Sequence, residues 1–588
     1  MSHDTRGWTD PPGAPGRAAG AGAGGRMTMT PDPRRWWALT VVLIAGFMDL
    51  LDVTIVNVAV PSILKDLKAE YAQIEWIVAA YVLAFAAILI TGGRLGDIFG
   101  RKRVFLIGMG GFTVASALCG VATGPGVLIG ARFLEGAMAG LMVPQILAII
   151  HVTFPPEERG RVFGMFGGIL GSASAAGLII GGLLVQWNLA GLGWRPIFLV
   201  NIPIGLAAMV AAWLVVPEST SPNAPKLDLI GMALAMAGVL MLVYPLTEGR
   251  TLGWPVWTFL LMAGAVVVLA LFVLFERRRT RRVGSPLVVL SLFRARAFTA
   301  GLVMWLLFWI ALGGFFLVWT LYLQVGLSWT PLRAGLTAVA FAGGATAGAG
   351  LSVQVLTPRF GRRVLMAGAL LNAAGFASYL WVAARYGPEV RSWQMILPLI
   401  AAGVGFGMVV APMIDLVLTD VPVRDAGSAS GLLNTTQQVG MALGVALVGV
   451  IFFAQLARDS GRGVDGVTPN LRAQLTSAGV PAQQLDGIVA GFRACVHDRS
   501  DASDPMKIPA SCQAAPSQPG NPASAQVQAL VTQAGVQANA RNFARTFSLT
   551  LWYGVGTLLV VFLGLFALPR QVRTRDLAAE LGVLEDEA

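Results

Sequence analysis

Five ionisable side chains lie inside long apolar stretches of this sequence. Asp49 and Asp52 share the first stretch, Arg132 and Glu135 share a second, and Asp415 lies in a third. The spacing of three residues within each pair places both groups on one face of a helix. A charged group at the centre of a bilayer costs at least ~2.5–3.5 kcal/mol. If these stretches cross a membrane, the five groups should face a cavity or a partner, where the chemistry open to them is proton exchange or ion pairing.

Composition identifies the chain as a polytopic membrane protein. Of its 588 residues, 55% are hydrophobic and only 12% are charged, and the mean hydropathy is +0.69, whereas soluble domains are about 25% charged. The net charge of +11 does not indicate a nucleic-acid partner, because the arginines fall at the ends of apolar segments. There is no phosphate-binding loop of the G-x-x-x-x-G-K-[ST] type. Any uphill transport therefore needs an ion gradient or a separate subunit, and we expect no cofactor, no metal and no enzymatic activity.

A transmembrane helix needs about 20 mostly apolar residues, and the sequence contains fourteen such segments. They are 37–60, 74–93, 104–122, 126–150, 162–186, 196–216, 228–246, 256–275, 299–322, 333–356, 364–384, 394–418, 430–456 and 547–568. Lys and Arg concentrate in alternate short loops, which predicts that both termini lie on the cytoplasmic side of the cell membrane.

The segment between the second and third apolar stretches, residues 92–105, reads GGRLGDIFGRKRVF. Glycines there permit a tight turn, and the aspartate can pair with a nearby arginine or accept backbone hydrogen bonds. The pattern resembles the loop between helices 2 and 3 of the major facilitator superfamily. The alternative is an ordinary cytoplasmic loop with positive charges. The residues that carry the resemblance and would form a gating loop include Gly93, Asp97, Gly100, Arg101 and Lys102.

Two short motifs recur along the chain. Residues 99–102 (FGRK) are echoed by 360–363 (FGRR), and Gly140–Pro144 is echoed by Gly407–Pro412. Both echoes map a predicted helix onto the one eight positions later. They predict two six-helix halves with two helices inserted between them, as the major facilitator fold implies, with substrate near the midplane. We expect a monomer.

This organisation divides the chain into six regions. They are a disordered cytoplasmic tail (1–35), the first half (36–217), the inserted helices (218–275), a cytoplasmic amphipathic linker (276–298), the second half (299–569, with an outer loop at 457–546) and a second cytoplasmic tail (570–588).

Three further motifs are similar to those of fourteen-helix drug:proton antiporters, at residues 51–61, 194–205 and 430–440. The resemblance covers about residues 35–456 and the last helix. It implies that Asp52 is an acid linked to proton coupling or to cationic substrates, and that Arg132 takes part in proton transfer. Glu135 stands where the family more often has glutamine. The alternative is that Arg132 and Glu135 only neutralise each other.

Two other residues have two interpretations each, and two more have a role that the resemblance implies. Asp49 and Asp415 are candidate proton or substrate groups, but the first could lie near the cytoplasmic interface and the second could be a solvated carboxylate at a helix end. By the resemblance, Asp97 and Arg101 help to close the cytoplasmic side, near the start of the eleventh helix (364–384).

The fifth predicted helix is rich in small residues, which let helices pack closely. Gly177, Gly181 and Gly182 match the antiporter motif of the family, but Leu178 occupies the position where that motif has proline. The glycines therefore still predict close helix packing, but the sequence does not predict the helix kink that proline gives in the family.

The outer loop 457–546 is long and polar, with an amphipathic stretch at 470–495. Its two cysteines, Cys495 and Cys512, face an oxidising compartment and could form a disulfide; the alternative is two unpaired thiols.

The sequence supports three functions in descending order. The first is proton-coupled efflux of amphipathic, often cationic, drugs or toxic organic compounds. The second is a dedicated exporter of one secondary metabolite or lipid. The third is a membrane sensor or scaffold without transport, against which the costly intramembrane acids argue. The expected partners are small hydrophobic or cationic molecules, protons and the lipid bilayer.

Overall fold

The computed structural model describes residues 34–69, 71–220, 228–249, 252–282, 287–418, 421–422, 425–501, 509–512 and 522–568. The two predicted tails lie outside these residues, apart from the two at the end of the first tail.

Within these ranges the chain forms seventeen α-helices and no strand. They are α1 (Arg35–Leu67), α2 (Tyr71–Phe99), α3 (Arg101–Gly120), α4 (Pro125–Thr153), α5 (Pro156–Trp187), α6 (Pro196–Leu199), α7 (Asn201–Val215), α8 (Leu229–Glu248), α9 (Val256–Arg282), α10 (Arg296–Leu321), α11 (Pro331–Leu351), α12 (Thr357–Phe360), α13 (Arg362–Tyr386), α14 (Ser392–Leu418), α15 (Ala426–Ser477), α16 (Ala482–Asp501) and α17 (Pro522–Gly564). In lipid the backbone must satisfy its own hydrogen bonds, which is why the apolar segments are helical.

Every one of the fourteen predicted segments lies mainly within these helices, with α6 and α7 sharing one of them. Among the described residues, twelve helical segments are long and apolar enough to cross a membrane, and the bent α2 would make thirteen. The remaining predicted segment, 162–186, lies in α5, which is 32 residues long. The all-helical membrane fold is therefore confirmed, and fourteen stays an approximate count of the spans.

The two halves repeat the same pattern of helix packing. In the first half α2 and α3 pack on α4, α1 packs on α5, and α3 packs on α7. In the second half α11 and α13 pack on α14, α10 packs on α15, and α13 packs on α17. Between the halves, α5 packs on α11 and α2 packs on α15. The predicted repeat thus describes how the helices pair.

The two glycine motifs, Gly140–Pro144 and Gly407–Pro412, make equivalent helix contacts in the two halves. A Cβ atom on Gly140 of α4 would lie 2.9 Å from the carbonyl oxygen of Phe85 in α2. A Cβ atom on Gly407 of α14 would lie 2.1 Å from the carbonyl oxygen of Ala345 in α11. Only glycine permits backbones to approach this closely, so each motif brings the central helix of its half against a neighbour.

The inserted helices α8 and α9 form a hairpin beside α2 and α15. The linker that follows them contains a short 3₁₀ helix, Leu290–Arg294, before α10 begins. Leu287 and Val288 are buried against Ala235 of α8 and Phe272 of α9. The apolar middle of the linker therefore packs on protein.

The described residues of the region 457–546 are mostly helical. α15 continues to Ser477, α17 begins at Pro522, and α16 packs beside them. Their facing sides bury an apolar cluster that includes Val467, Leu471 and Phe492. Cys495 and Cys512 are joined in a disulfide. Hydropathy alone ends α15 too early, because the outer part of this helix is amphipathic and its partners are other helices.

Candidate functional site

Arg132 lies at the centre of a buried charged cluster in the first half of the molecule. Its Nη1 group donates hydrogen bonds to Asp52 Oδ2 and, at 2.8 Å, to Glu135 Oε2. All three side chains are at most 1% exposed. Arg132 therefore bridges two carboxylates, one on α1 and one on its own helix α4. This is a larger arrangement than the pair of Arg132 and Glu135 that the sequence left as an alternative.

Polar side chains from α3 and α7 complete the surroundings of Asp52. The Asn201 amide nitrogen lies 3.1 Å from Asp52 Oδ1 and 3.0 Å from the Ser116 hydroxyl oxygen. Arg132 Nε donates to the carbonyl oxygen of Ile77 in α2, at 3.3 Å. Four helices besides α1 thus supply partners to these groups, which holds the carboxylates in fixed positions.

Asp49 is buried one helical turn before Asp52. The Tyr81 hydroxyl of α2 donates a hydrogen bond to Asp49 Oδ1, at 2.5 Å. The ring of Tyr81 also contacts the guanidinium of Arg132, with 4.3 Å between the guanidinium carbon and the ring centre. Tyr81 therefore joins Asp49 to the cluster, which holds three carboxyl groups and one arginine. We call Asp49, Asp52, Tyr81, Arg132 and Glu135 the acid cluster.

The glycine-rich helix α5 packs directly on the helix that carries the acids. A Cβ atom on Gly177 would lie 1.9 Å from the Thr54 hydroxyl oxygen and 3.1 Å from the carbonyl oxygen of Leu51. Gly182 faces Leu332 of α11 in the other half. α5 runs as one helix through Gly181, while the side chain of Leu178 lies outside the described residues. Gly177 thus brings α5 against α1, which carries Asp49 and Asp52, and Gly182 faces the second half.

Asp415 lies apart from the acid cluster. It is half-buried in the last turn of α14, and its charged neighbour is Arg159 of α5. The structure thus brings together four of the five intramembrane groups that the sequence singled out.

The predicted gating loop forms a second buried network. Asp97 pairs with Arg101 at 2.8 Å and with Arg94 at 3.7 Å, and it accepts a hydrogen bond from the backbone N–H of Ser428 at 3.2 Å. Lys102, by contrast, donates to the carbonyl oxygen of Trp213 at 2.6 Å. Gly100 adopts a φ of 105°, a conformation that favours glycine and separates α2 from α3. The preceding Gly93 is buried within α2.

The expected partner of this loop was wrong. Ser428 lies in the first turn of α15, the thirteenth predicted segment, rather than near the start of the eleventh segment, which forms α13. The reason is the packing of the halves: α2 lies against α15, whereas α13 lies against α14 and α17.

Four residues of the site were missed by sequence reasoning, namely Tyr81, Ser116, Arg94 and Ser428. Each is a polar side chain in a predicted span or at its end, and no spacing connected it to the acids. Asn201 belonged to a recognised motif, but its contact with Asp52 had no sequence signal. The one sequence signal that could have identified them is their polarity within or beside an apolar span.

Comparisons with known proteins agree with this fold. The family profile of the Major Facilitator Superfamily matches residues 42–445. The human organic anion transporter MFSD10 has a TM-score of 0.53 to this structure at 13% sequence identity, covering 91% of this chain and 99% of that one. At this identity the likeness concerns the fold.

Curated relatives are much more similar in sequence. The chain is 40% identical over 567 residues to the "Probable actinorhodin transporter" of Streptomyces coelicolor, covering 96% of each chain. It is 36% identical to the "Puromycin resistance protein pur8" of Streptomyces alboniger, covering 79% of this chain and 88% of that one. It is also 36% identical to the "Tetracenomycin C resistance and export protein" of Streptomyces glaucescens, covering 72% and 77%. The chain is therefore a multi-pass membrane transporter and belongs to the major facilitator superfamily, in the group that includes these antibiotic transporters and resistance proteins.

Proposed function

We propose that this protein exports amphipathic organic compounds of the antibiotic class, and that it exchanges them for protons. The observation that carries the proposal is the acid cluster, in which three buried carboxyl groups face one guanidinium. The named activities of the relatives supply the substrate class, and the cluster supplies the coupling site.

The charges of the acid cluster explain why it would bind protons. One arginine neutralises one carboxylate, so full ionisation of Asp49, Asp52 and Glu135 would leave two buried negative charges. Uncompensated buried charge is strongly unfavourable; uptake of one proton removes one of the two charges, and uptake of a second proton removes the other. Two carboxyls that share one cation also titrate together. A change in access to either side of the membrane would then load or release a proton.

The second half contains a cluster of buried aromatic side chains, which we propose as the apolar contact for the substrate. Trp305, Phe308 and Trp309 of α10 contact one another, and Phe406 of α14 packs on both Phe308 and Trp309. The indole N–H of Trp309 is buried without a hydrogen-bond partner among the described residues. Aromatic faces suit flat organic molecules and attract cations, and a free indole N–H can donate to a substrate oxygen. Acids in one half and aromatic rings in the other favour amphipathic compounds, cationic ones among them.

The test is transport by purified protein in proteoliposomes with an imposed pH gradient. We expect wild-type protein to move ethidium and puromycin only when the gradient is present, and the Asp52→Asn variant to lose gradient-driven transport while it remains folded. Asp66→Asn is the matched control, because Asp66 also lies on α1 but pairs with Arg195 near the end of the helix. Gradient-driven transport at the wild-type rate by Asp52→Asn would refute the coupling site.

The similarity to the probable actinorhodin transporter, which covers nearly the whole chain, favours a second candidate, a dedicated exporter of one secondary metabolite. Growth inhibition by a panel of dyes, biocides and antibiotics, with and without expression, separates the two. Protection against several unrelated compounds supports the broad exporter, and protection against a single compound supports the dedicated one.

A further inference from the structure

The linker after the inserted helices is joined to the gating loop by a continuous series of contacts. The backbone N–H of Val288 donates to Glu276 Oε2 of α9 at 3.2 Å. The carbonyl oxygen of Leu287 accepts a hydrogen bond from the Ser428 hydroxyl of α15 at 3.1 Å. The backbone N–H of the same serine donates to Asp97 of α2 at 3.2 Å. Four separate elements therefore meet at Ser428 and its neighbours.

The residues that make these contacts are buried, and charged groups from different helices interact among them. Glu276 and Asp97 are 0% exposed and Ser428 is 1% exposed. The guanidinium of Arg94, on α2, interacts electrostatically with Asp97, Asp425 and Glu276. One arginine of the first half thus faces a carboxylate from α9 and another that directly precedes α15.

Apolar packing supports the same unit. Leu287 and Val288 are buried between the inserted helices, and Leu432 of α15 packs against the same cluster. Glu276 is held in place by its own hairpin, since it lies close to Asp228, the residue that caps α8, and Asp228 pairs with Arg279 of α9 at 3.0 Å. The inserted hairpin therefore presents the linker to α15 with a defined geometry.

We propose that the inserted helices and linker residues 287–289 act as a strap that holds α2 and α15 together at the gating loop. Glu276 is the positioning residue that fixes the strap, and Ser428 is the point where the strap meets both halves. The strap stabilises the conformation in which this end of the transporter is closed. The inserted helices α8 and α9 then contribute directly to the stability of the closed conformation.

The strap can be tested by distance measurements that need neither substrate nor a gradient. Spin labels at Arg103→Cys and Arg363→Cys would report the gap between the halves, because both side chains are exposed at the ends of helices that begin on this side. Cys119 is the free cysteine of the described residues and is replaced by serine, while the disulfide stays intact.

Two variants disconnect the strap at different points. Ser428→Ala removes the bond to Leu287 and leaves the backbone bond to Asp97, and Glu276→Ala removes the anchor of Val288. Each should raise the fraction of molecules with the wide distance by about threefold or more, as expected for the loss of one buried hydrogen bond. The matched control is Thr435→Ala on α15, whose hydroxyl bonds to Gly431 of its own helix and to no other described residue, and it should leave the distribution unchanged.

The double variant decides whether the contacts form one strap. In a single strap the second cut adds little, so Ser428→Ala with Glu276→Ala should match the larger single effect. Effects that multiply in the double variant, or single variants that behave like Thr435→Ala, would overturn the proposal. Because no transport is measured, these outcomes do not depend on proton coupling or on the identity of the substrate.

Discussion

Replacing Arg132 with methionine should destabilise the protein and abolish transport. The change removes the cation between Asp52 and Glu135 and leaves two buried carboxyl groups facing each other. Removing one partner of a buried ion pair costs ~3–5 kcal/mol. That loss is larger than the ~2 kcal/mol of the accompanying cation–π contact with Tyr81. The folded fraction should therefore shift by more than about a hundredfold relative to the unfolded fraction.

A graded series separates charge balance from function. Arg132→Met alone should be the least stable variant in thermal unfolding of purified protein in detergent. Adding Glu135→Gln should restore part of the stability, and adding Asp52→Asn as well should restore most of it, because buried pairs replaced by neutral groups are well tolerated. None of the three should drive proton-dependent exchange in proteoliposomes.

The control for this series is Arg195→Met, which breaks a partly exposed pair with Asp66 and should cost at most ~1 kcal/mol. Wild-type stability of Arg132→Met would show that the arginine does not balance the carboxylates. Normal transport by the double variant Arg132→Met with Glu135→Gln would show that these two residues only neutralise each other and take no part in proton transfer.

Three further predictions concern other contacts of the site. Asp97→Asn should impair turnover and shift the molecules toward the form open at this end, because a buried carboxylate bonded to Arg101 is worth more than the ~0.3–1 kcal/mol of an exposed group at a helix end; an unchanged label distance with normal efflux would contradict this. Tyr81→Phe should leave Asp49 without its hydrogen bond and alter the pH dependence of transport, and an identical pH–rate profile would show that Asp49 is not part of the coupling site. The hydrogen bond from Arg195 lowers the pKa of Asp66 below its usual 3.8, so this contact stabilises the end of α1 above that pH and is lost as the pH falls further; the hydrogen-exchange protection factors of residues 64–69, corrected for the intrinsic exchange rate at each pH, should fall on acidification, and unchanged protection factors would contradict this.

The helices and the acids could be predicted from the sequence because both depend on local pattern. A run of about 20 apolar residues forms a span whatever it packs against, and a charge within it is visible as an exception. The spacing of Asp49 and Asp52 on one face predicted that this face meets a cavity or a partner, while an interface position remained the alternative for Asp49.

The partners of these groups could not be predicted, because they depend on how helices far apart in the chain pack together. Tyr81 reaches Asp49 only because α2 lies beside α1, and Ser428 reaches Asp97 only because α15 crosses to the first half. The extension of α15 to Ser477 likewise requires α16 and α17 as neighbours. Motif resemblance predicted the roles of Asp52 and Arg132 without showing that they touch.

The most direct test of the account is proton release when substrate binds. Purified protein in weakly buffered detergent solution is mixed with ethidium or puromycin, and a pH-indicator dye records the protons set free. We predict that wild-type protein releases protons on binding and that Asp52→Asn binds the same compound with little or no release. Equal release by both proteins would contradict the claim that the acid cluster is the proton site.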